Sequence, residues 1–149
     1  MRILVDGDAC PVKKEIKKIS LKYSIDVIYY TSVSHYTFDK LFDNTIYLDN
    51  EAQEVDIRII NDITKEDLLI TDDYGLACAT LEKCKAVLSS SGNIYTKDNI
   101  ELLLFQRHLA QLARKKREKV SNKKKRNEEA DEHFYQILKT VVEKEIDNK

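Results

Sequence analysis

Glycine and proline are scarce in this chain, with three glycines and one proline in 149 residues. So little of either leaves no room for flexible linkers and predicts one domain spanning 1–149. No apolar run approaches the roughly 20 residues of a membrane-spanning helix, and the first apolar stretch is too short for a secretory signal, so no membrane partner is expected. Cysteine is limited to Cys10, Cys78 and Cys84, an odd number without a CxxC pair. That argues against a disulfide framework or a structural zinc site and favours a reducing, cytoplasmic setting. His35, His108 and His133 share no ligand spacing, which also speaks against zinc.

Net charge is nearly absent, at −1, but this is an average over unlike segments. Residues 1–106 hold 12 Lys+Arg against 18 Asp+Glu, residues 107–126 hold 10 against one, and residues 127–149 hold 3 against 7. An acidic body is thus joined to a basic stripe. Most such stripes only keep a surface wet; beside an acidic cluster, this one reads as a landing surface for a polyanion.

Hydrophobic patterning gives the order of elements. Short apolar strands are expected at Arg2–Val5, Asp26–Tyr30, Thr45–Leu48, Leu68–Thr71 and Ala86–Leu88. Between them, helices are expected from Pro11 (as the first helical residue) to Tyr23, over Ala52–Asp62 and over Leu76–Lys83. Ser32–Phe42 reads as a loop with a short helix. Thr96 suits the N-cap of a long helix bearing Ile100, Leu103, Leu104 and Leu112. Residues 115–126 are too charged to pack and are expected as an exposed basic loop. A closing amphipathic helix over about 128–146 carries Phe134, Ile137, Leu138, Val141 and Val142. Strands alternating with helices predict an α/β fold, a three-layer α/β/α sandwich around a mostly parallel five-stranded sheet in the order 3-2-1-4-5, with C-terminal helices added.

Aspartates crowd the ends of the first and fourth strands: Asp6 and Asp8 after one, Asp72 and Asp73 after the other. Like charges at close range resist joint ionisation, and a divalent cation is the usual relief. In the expected strand order the two ends are neighbours at the switch point where doubly wound sheets bind ligands. Asp56, from the helix before the fourth strand, is positioned to join them. Helix capping competes as an explanation for Asp8, Asp72 and Asp73 taken singly, but not for Asp56, which falls inside its expected helix. Cys10, near a helix start, is read as a small packed thiol rather than a nucleophile, and Cys78 and Cys84 as core thiols. Ser89–Gly92 reads as a polar turn.

Three stretches carry a family resemblance. Val5-Asp6-Gly7-Asp8-Ala9-Cys10-Pro11-Val12-Lys13 resembles the opening signature of the bacterial YaiI/YqxD family, whose members are of largely unknown function. Thr71-Asp72-Asp73-Tyr74-Gly75-Leu76-Ala77 is similar to its second signature, and Ile94-Tyr95-Thr96-Lys97-Asp98-Asn99-Ile100 to its third. The basic segment leading into a closing helix extends the likeness over nearly the whole chain. That family looks PIN-like, which implies an acidic centre binding Mg²⁺ or Mn²⁺ and nuclease activity, typically on RNA. By resemblance the centre comprises Asp6, Asp8, Asp56 and Asp73, with Asp72 a further metal candidate at a position that varies in the family. Many relatives have an acidic residue where this chain has Gln53; Glu51 and Glu54 are the nearby substitutes.

The expected activity is metal-assisted phosphodiester hydrolysis, with Asp6, Asp8, Asp56 and Asp73 as its catalytic carboxylates. Nucleic acid would be held by Lys13 and by Arg107, Arg114, Lys115, Lys116, Arg117, Lys123, Lys124, Lys125 and Arg126, which contact phosphates and carry no sequence information directly. Two other readings stay open. One is a phosphatase of the haloacid-dehalogenase type, where a strand also ends in DxD, although Cys10 stands where that superfamily has Thr or Val. The other is a non-catalytic RNA-binding module. Oligomeric state is not legible.

Overall fold

Residues 1–8, 10–36, 41–50, 53–116 and 126–148 are described by the computed structural model. Five strands, β1 (Arg2–Asp6), β2 (Asp26–Ser32), β3 (Thr45–Leu48), β4 (Asp67–Ile70) and β5 (Ala86–Leu88), form one sheet in the order β3-β2-β1-β4-β5. Every strand pair is parallel. Among the described residues, five α-helices connect or flank them: α1 (Lys13–Tyr23), α2 (Glu54–Asp62), α3 (Tyr74–Thr80), α4 (Lys97–Lys116) and α5 (Glu128–Asp147). A 3₁₀ turn, Val33–His35, follows β2.

Parallel strands covered on both faces need apolar residues at successive positions, and β1 supplies Ile3, Leu4 and Val5, all fully buried. Alternation sends them to opposite layers. Ile3 and Val5 join Val12, Ile16 and Ile19 around α1 and Phe134, Leu138 and Val142 of α5. Leu4 joins Val55 and Ile59 of α2, Leu76 and Ala77 of α3 and Ile100 of α4. The result is the expected three-layer α/β/α arrangement, with α1 and α5 on one face and α2, α3 and the start of α4 on the other.

Helix starts differ from expectation in instructive ways. The first helix begins at Lys13, with Val12 as its N-cap and Pro11 outside it. Asp8 does not cap it. Helix α2 begins at Glu54 rather than Ala52, which moves Asp56 from mid-helix into the first turn, where a carboxylate faces the positive end of the helix dipole. Helix α3 begins at Tyr74, two residues before the expected Leu76, because Asp73 caps it: the Leu76 amide donates to Asp73 Oδ1 at 3.1 Å. Thr96 caps α4 as expected. Its Oγ1 accepts from the Asn99 amide at 3.1 Å, while Asn99 Oδ1 accepts from the Thr96 amide at 2.8 Å, a reciprocal capping box.

Two expectations fail on packing. Cys78 is exposed, because α3 turns Leu76, Ala77 and Thr80 inward and leaves residue 78 on the wet side; Cys84 is buried as expected. Among the apolar residues expected to face the core from α4, Ile100 is buried and Leu103 half-buried, whereas Leu104 and Leu112 face solvent. That helix also continues to Lys116, two residues into the expected basic loop. Arg117, Lys123, Lys124 and Lys125 lie outside the described residues, as does Glu51, and so do the side chains of Lys115 and Lys116.

The amino edge of the sheet is pinned by an ion pair that the aspartate pattern did not reveal. Arg2 donates to Asp67 through Nε at 2.9 Å and Nη2 at 2.7 Å, and Asp67 also accepts from the Thr64 amide and hydroxyl. The Asp67 side chain is 1% exposed. These donors outweigh its burial and hold its carboxyl below the usual range. Asp67→Ala is expected to lower stability by about 2 kcal/mol, a value discounted for the partly exposed Arg2, as read by urea unfolding. Because the folded pKa is depressed, this contribution is present at neutral pH and is lost as pH falls below the ordinary carboxylate value, so parent and variant converge in acid.

Candidate functional site

Beyond the carboxyl ends of the central strands lies an open cavity of about 490 Å³ whose lining includes Asp6, Asp8, Asp56, Asp72, Asp73 and Arg107. The pairing of β1 with both β2 and β4 places it at the switch point. Each carboxylate arrives on a different device. Asp6 is the last residue of β1, and Asp8 follows after Gly7. Asp56 comes from the first turn of α2, and Asp73 is the N-cap of α3.

Hydroxyl groups hold the side chains of Asp6, Asp8 and Asp72. Thr71 Oγ1 donates to Asp6 Oδ2 at 2.8 Å and accepts from the Asp73 amide at 3.0 Å, so one threonine fixes a carboxylate and a neighbouring backbone at once. Asp8 Oδ1 accepts from Thr31 Oγ1 at 2.9 Å and from the amide and hydroxyl of Ser32 at 3.1 and 3.3 Å. His35 Nδ1 stands 3.2 Å from the same oxygen. Asp72 is spent on structure: Oδ1 accepts from the Ser90 amide at 2.8 Å and Oδ2 from the Ser90 hydroxyl at 2.6 Å. Sequence reasoning missed Thr31, Ser32, Thr71 and Ser90. Their one legible signal is position, a hydroxyl residue at or just past the end of β2, β4 or β5.

Electrostatics show an unrelieved crowd. Burial pushes the Asp6 carboxyl up to about 6, against the Thr71 hydrogen bond that lowers it, and the charges of Asp56, Asp73 and Asp8 push it further. Asp56 is raised as well, first by burial, then by the Asp73 charge and a hydrogen bond shared with Asp73, then by Asp8. Cys10 also lines the cavity, and burial lifts its thiol to about 11, which keeps it protonated at neutral pH and removes it as a nucleophile.

Among the described residues, no three His, Cys, Asp or Glu side chains stand close enough to cage a metal ion as they are. The donor chemistry fits a hydrated cation instead. Magnesium keeps several waters and takes one or two direct carboxylates, and hard oxygen donors are what Asp6, Asp56 and Asp73 offer. Gln53, in the left-handed conformation at φ 71°, lines the same cavity and contributes an amide to it.

The basic candidates divide. Arg107 reaches the cavity from α4, with its guanidinium 5.7 Å from the Tyr74 ring centre. Lys13 does not line it; its ammonium sits 5.2 Å from the Tyr29 ring centre. Arg114 is exposed on α4. Arg126 is taken up by the fold, donating to the Ser90 carbonyl at 2.6 Å and pairing with Asp131, which ties the start of α5 to the turn after β5.

Fold and cavity together define a class: an α/β protein with a parallel sheet and an acidic pocket beyond its carboxyl edge. Within that class the chain belongs to the YaiI/YqxD family, described as uncharacterized, which its residues 4–144 match. It is similar to the UPF0178 protein of Clostridium tetani, at 38% identity over 144 residues covering 97% of this chain and 98% of that one. A UPF0178 protein of Alkaliphilus metalliredigens is 40% identical over 148 residues, covering 99% and 96%. One from Ruminiclostridium cellulolyticum is 41% identical over 145 residues, covering 97% and 94%. No solved structure matches the chain. No helix among the described residues is long and apolar enough to cross a membrane.

Proposed function

We propose that this protein is a PIN-like, Mg²⁺- or Mn²⁺-dependent phosphodiesterase acting on RNA. One observation carries the reading: a largely buried Asp6, its proton affinity raised, shares an open pocket with Asp56 and Asp73, and the charges of the three carboxylates oppose one another there. When bound there, a divalent ion supplies an activated water and charge stabilisation on the leaving oxygen. Asp6 and Asp73 hold it, with Asp56 completing the set directly or through water. Asp8, fixed by Thr31 and Ser32 through one oxygen, orients water with the other. Arg107 meets the substrate phosphate at the rim. Arg114 adds an exposed positive charge on α4, and the basic residues of 115–117 and 123–125 add, by their charge alone, to the attraction for a polyanion. Asp72 shapes the rim, each of its oxygens accepting a hydrogen bond from Ser90.

The test is cleavage of a labelled single-stranded RNA with Mn²⁺ present. Asp6→Asn and Asp73→Asn are each expected to slow it at least 100-fold, while Arg107→Ala raises KM more than it lowers kcat. Equal rates for the parent and both aspartate variants would sink the proposal. A second reading, RNA binding without turnover, draws on the lack of a ready-made three-ligand group among the described residues. In that case affinity falls steeply with salt through counterion release and is indifferent to Mn²⁺.

A further inference from the structure

A second cleft opens beside the acidic pocket. It holds about 400 Å³ and is lined by Asp72, Tyr74, Leu103, Gln106 and Arg107. Asp72 and Arg107 line both cavities, so the two share a wall. The volume lies in the range of small-ligand clefts, roughly 300–1,000 Å³.

Two helices build it. Tyr74 is the first residue of α3, directly after the cap Asp73, so the bonds that place Asp73 also place the ring. That ring is half-buried and meets the buried Tyr95 edge to face, with centres 5.8 Å apart. Tyr95 is itself fixed, its hydroxyl donating to the Thr71 carbonyl at 3.3 Å. From α4 come the half-buried Leu103, the exposed Gln106 and Arg107, whose guanidinium stands 5.7 Å from the Tyr74 ring centre. Among the described residues, the Tyr74 hydroxyl, the Gln106 amide and the Arg107 guanidinium form no hydrogen bond or ion pair. Asp72, the acid of this wall, has both oxygens bonded to Ser90.

A fixed aromatic ring beside a guanidinium plane is a stacking surface for an unpaired nucleobase, and a side-chain amide offers both donor and acceptor to the base edge. Arginine serves two groups at once, because its N–H fork meets phosphate while its flat face stacks. We infer that this cleft takes the base of the nucleotide whose phosphate enters the acidic pocket, with Tyr74 and Arg107 beneath the base and Gln106 at its edge. The inference rests on the phosphodiesterase reading and adds a requirement to it: the substrate is unpaired at this nucleotide, since a base stacked inside a duplex does not reach the ring. Every base has a π-face, so the cleft tolerates all four.

Fluorescence anisotropy on the full chain tests it, with Ca²⁺ in place of Mn²⁺ to hold back cleavage. The probes are a labelled ten-nucleotide RNA of mixed sequence, its duplex, an abasic chain of the same length, and AMP. The parent is expected to bind the single strand about tenfold more tightly than the abasic chain, the effect of one base on an aromatic ring. Tyr74→Leu, which keeps an apolar side chain against the core, removes the difference, and Tyr74→Phe preserves it. Gln106→Ala, at an exposed position that leaves the fold intact, weakens the single strand about threefold and spares the abasic chain; it decides the matter should Tyr74→Leu lower the thermal midpoint. Equal binding of single strand and abasic chain by the parent overturns the inference and leaves the RNA reading in place. So does a duplex bound as tightly as the single strand. Failure to bind any of the probes removes both. Binding of AMP alone, lost in Tyr74→Leu, keeps the base cleft and sinks the RNA reading.

Discussion

Replacing Asp6 with asparagine is expected to stabilise the metal-free protein at pH 7.5 and to leave it unchanged at pH 4. Burial lifts the Asp6 carboxyl from an ordinary 3.8 to about 6. With the folded pKa above the unfolded one, the native state holds the proton more tightly between those values. The stability this supplies is complete below about pH 4 and is lost as pH rises through 6. A shift of about two units corresponds to about 3 kcal/mol at 1.36 kcal/mol per unit, an upper figure for a side chain that keeps some solvent contact. Asparagine retains an oxygen for the Thr71 hydroxyl while removing the charge. For a chain of this length the thermal midpoint should rise by about 5–8 °C at pH 7.5. Millimolar Mn²⁺ should raise the parent midpoint and not the variant's, closing the gap. Parallel pH profiles for the two proteins, with or without the ion, would mean that Asp6 carries no such burden, and the metal reading would lose its physical basis.

The second large effect belongs to a residue with no side chain. Gly7→Ala is expected to cost about 4 kcal/mol, a large part of the 5–15 kcal/mol that holds a domain together. A Cβ there would sit 2.5 Å from the Tyr30 carbonyl oxygen and closer still to the Tyr29 ring. Neither neighbour has room to yield, since Tyr30 is fully buried in β2 and Tyr29 is packed against Phe42. The clash also falls on two hydrogen bonds, from the Gly7 amide to the Tyr30 carbonyl at 2.6 Å and from the Tyr29 hydroxyl to the Gly7 carbonyl at 2.7 Å. Overpacking at one methyl ordinarily costs about 1–3 kcal/mol, and a rigid backbone contact places this site at or above the top of that range. Urea unfolding should show the midpoint collapse. A variant within 1 kcal/mol of the parent would show that the strand-to-loop step relaxes freely. Glycine is thus what lets Asp6 and Asp8 leave one strand end in quick succession while the backbone still pairs with β2.

Much of this was legible in the chain, for reasons that can be named. Strands β1 and β4 are short continuous apolar runs, and their neighbourhood in the sheet follows from alternation with helices, so the convergence of Asp6 and Asp73 could be anticipated across more than 60 residues of sequence. What could not be read was commitment. Nothing local distinguishes Asp73, which caps a helix and lines the pocket, from Asp72, whose two oxygens are taken by Ser90. Arg126 looked like one more member of a basic run, yet its partners come from Ser90 and Asp131 on separate elements. Cys78 and Leu112 have apolar side chains that predict burial; only the rotation of α3 and the outward course of α4 expose them. Hydroxyl residues such as Thr31 and Thr71 are too common to signal a role until tertiary structure supplies the carboxylate.

Those hydroxyls have a consequence of their own. A lysine or arginine beside Asp6 or Asp8 would also have fixed its direction, but would have cancelled its charge. Threonine and serine fix direction and leave charge untouched. Asp6 and Asp8 are therefore held in direction without losing their charge to the group that holds them, and direction and charge can be varied separately. If the pocket holds a divalent ion as proposed, a cationic residue in place of Thr71 would neutralise Asp6 and abolish the rise in thermal midpoint that Mn²⁺ is expected to give the parent.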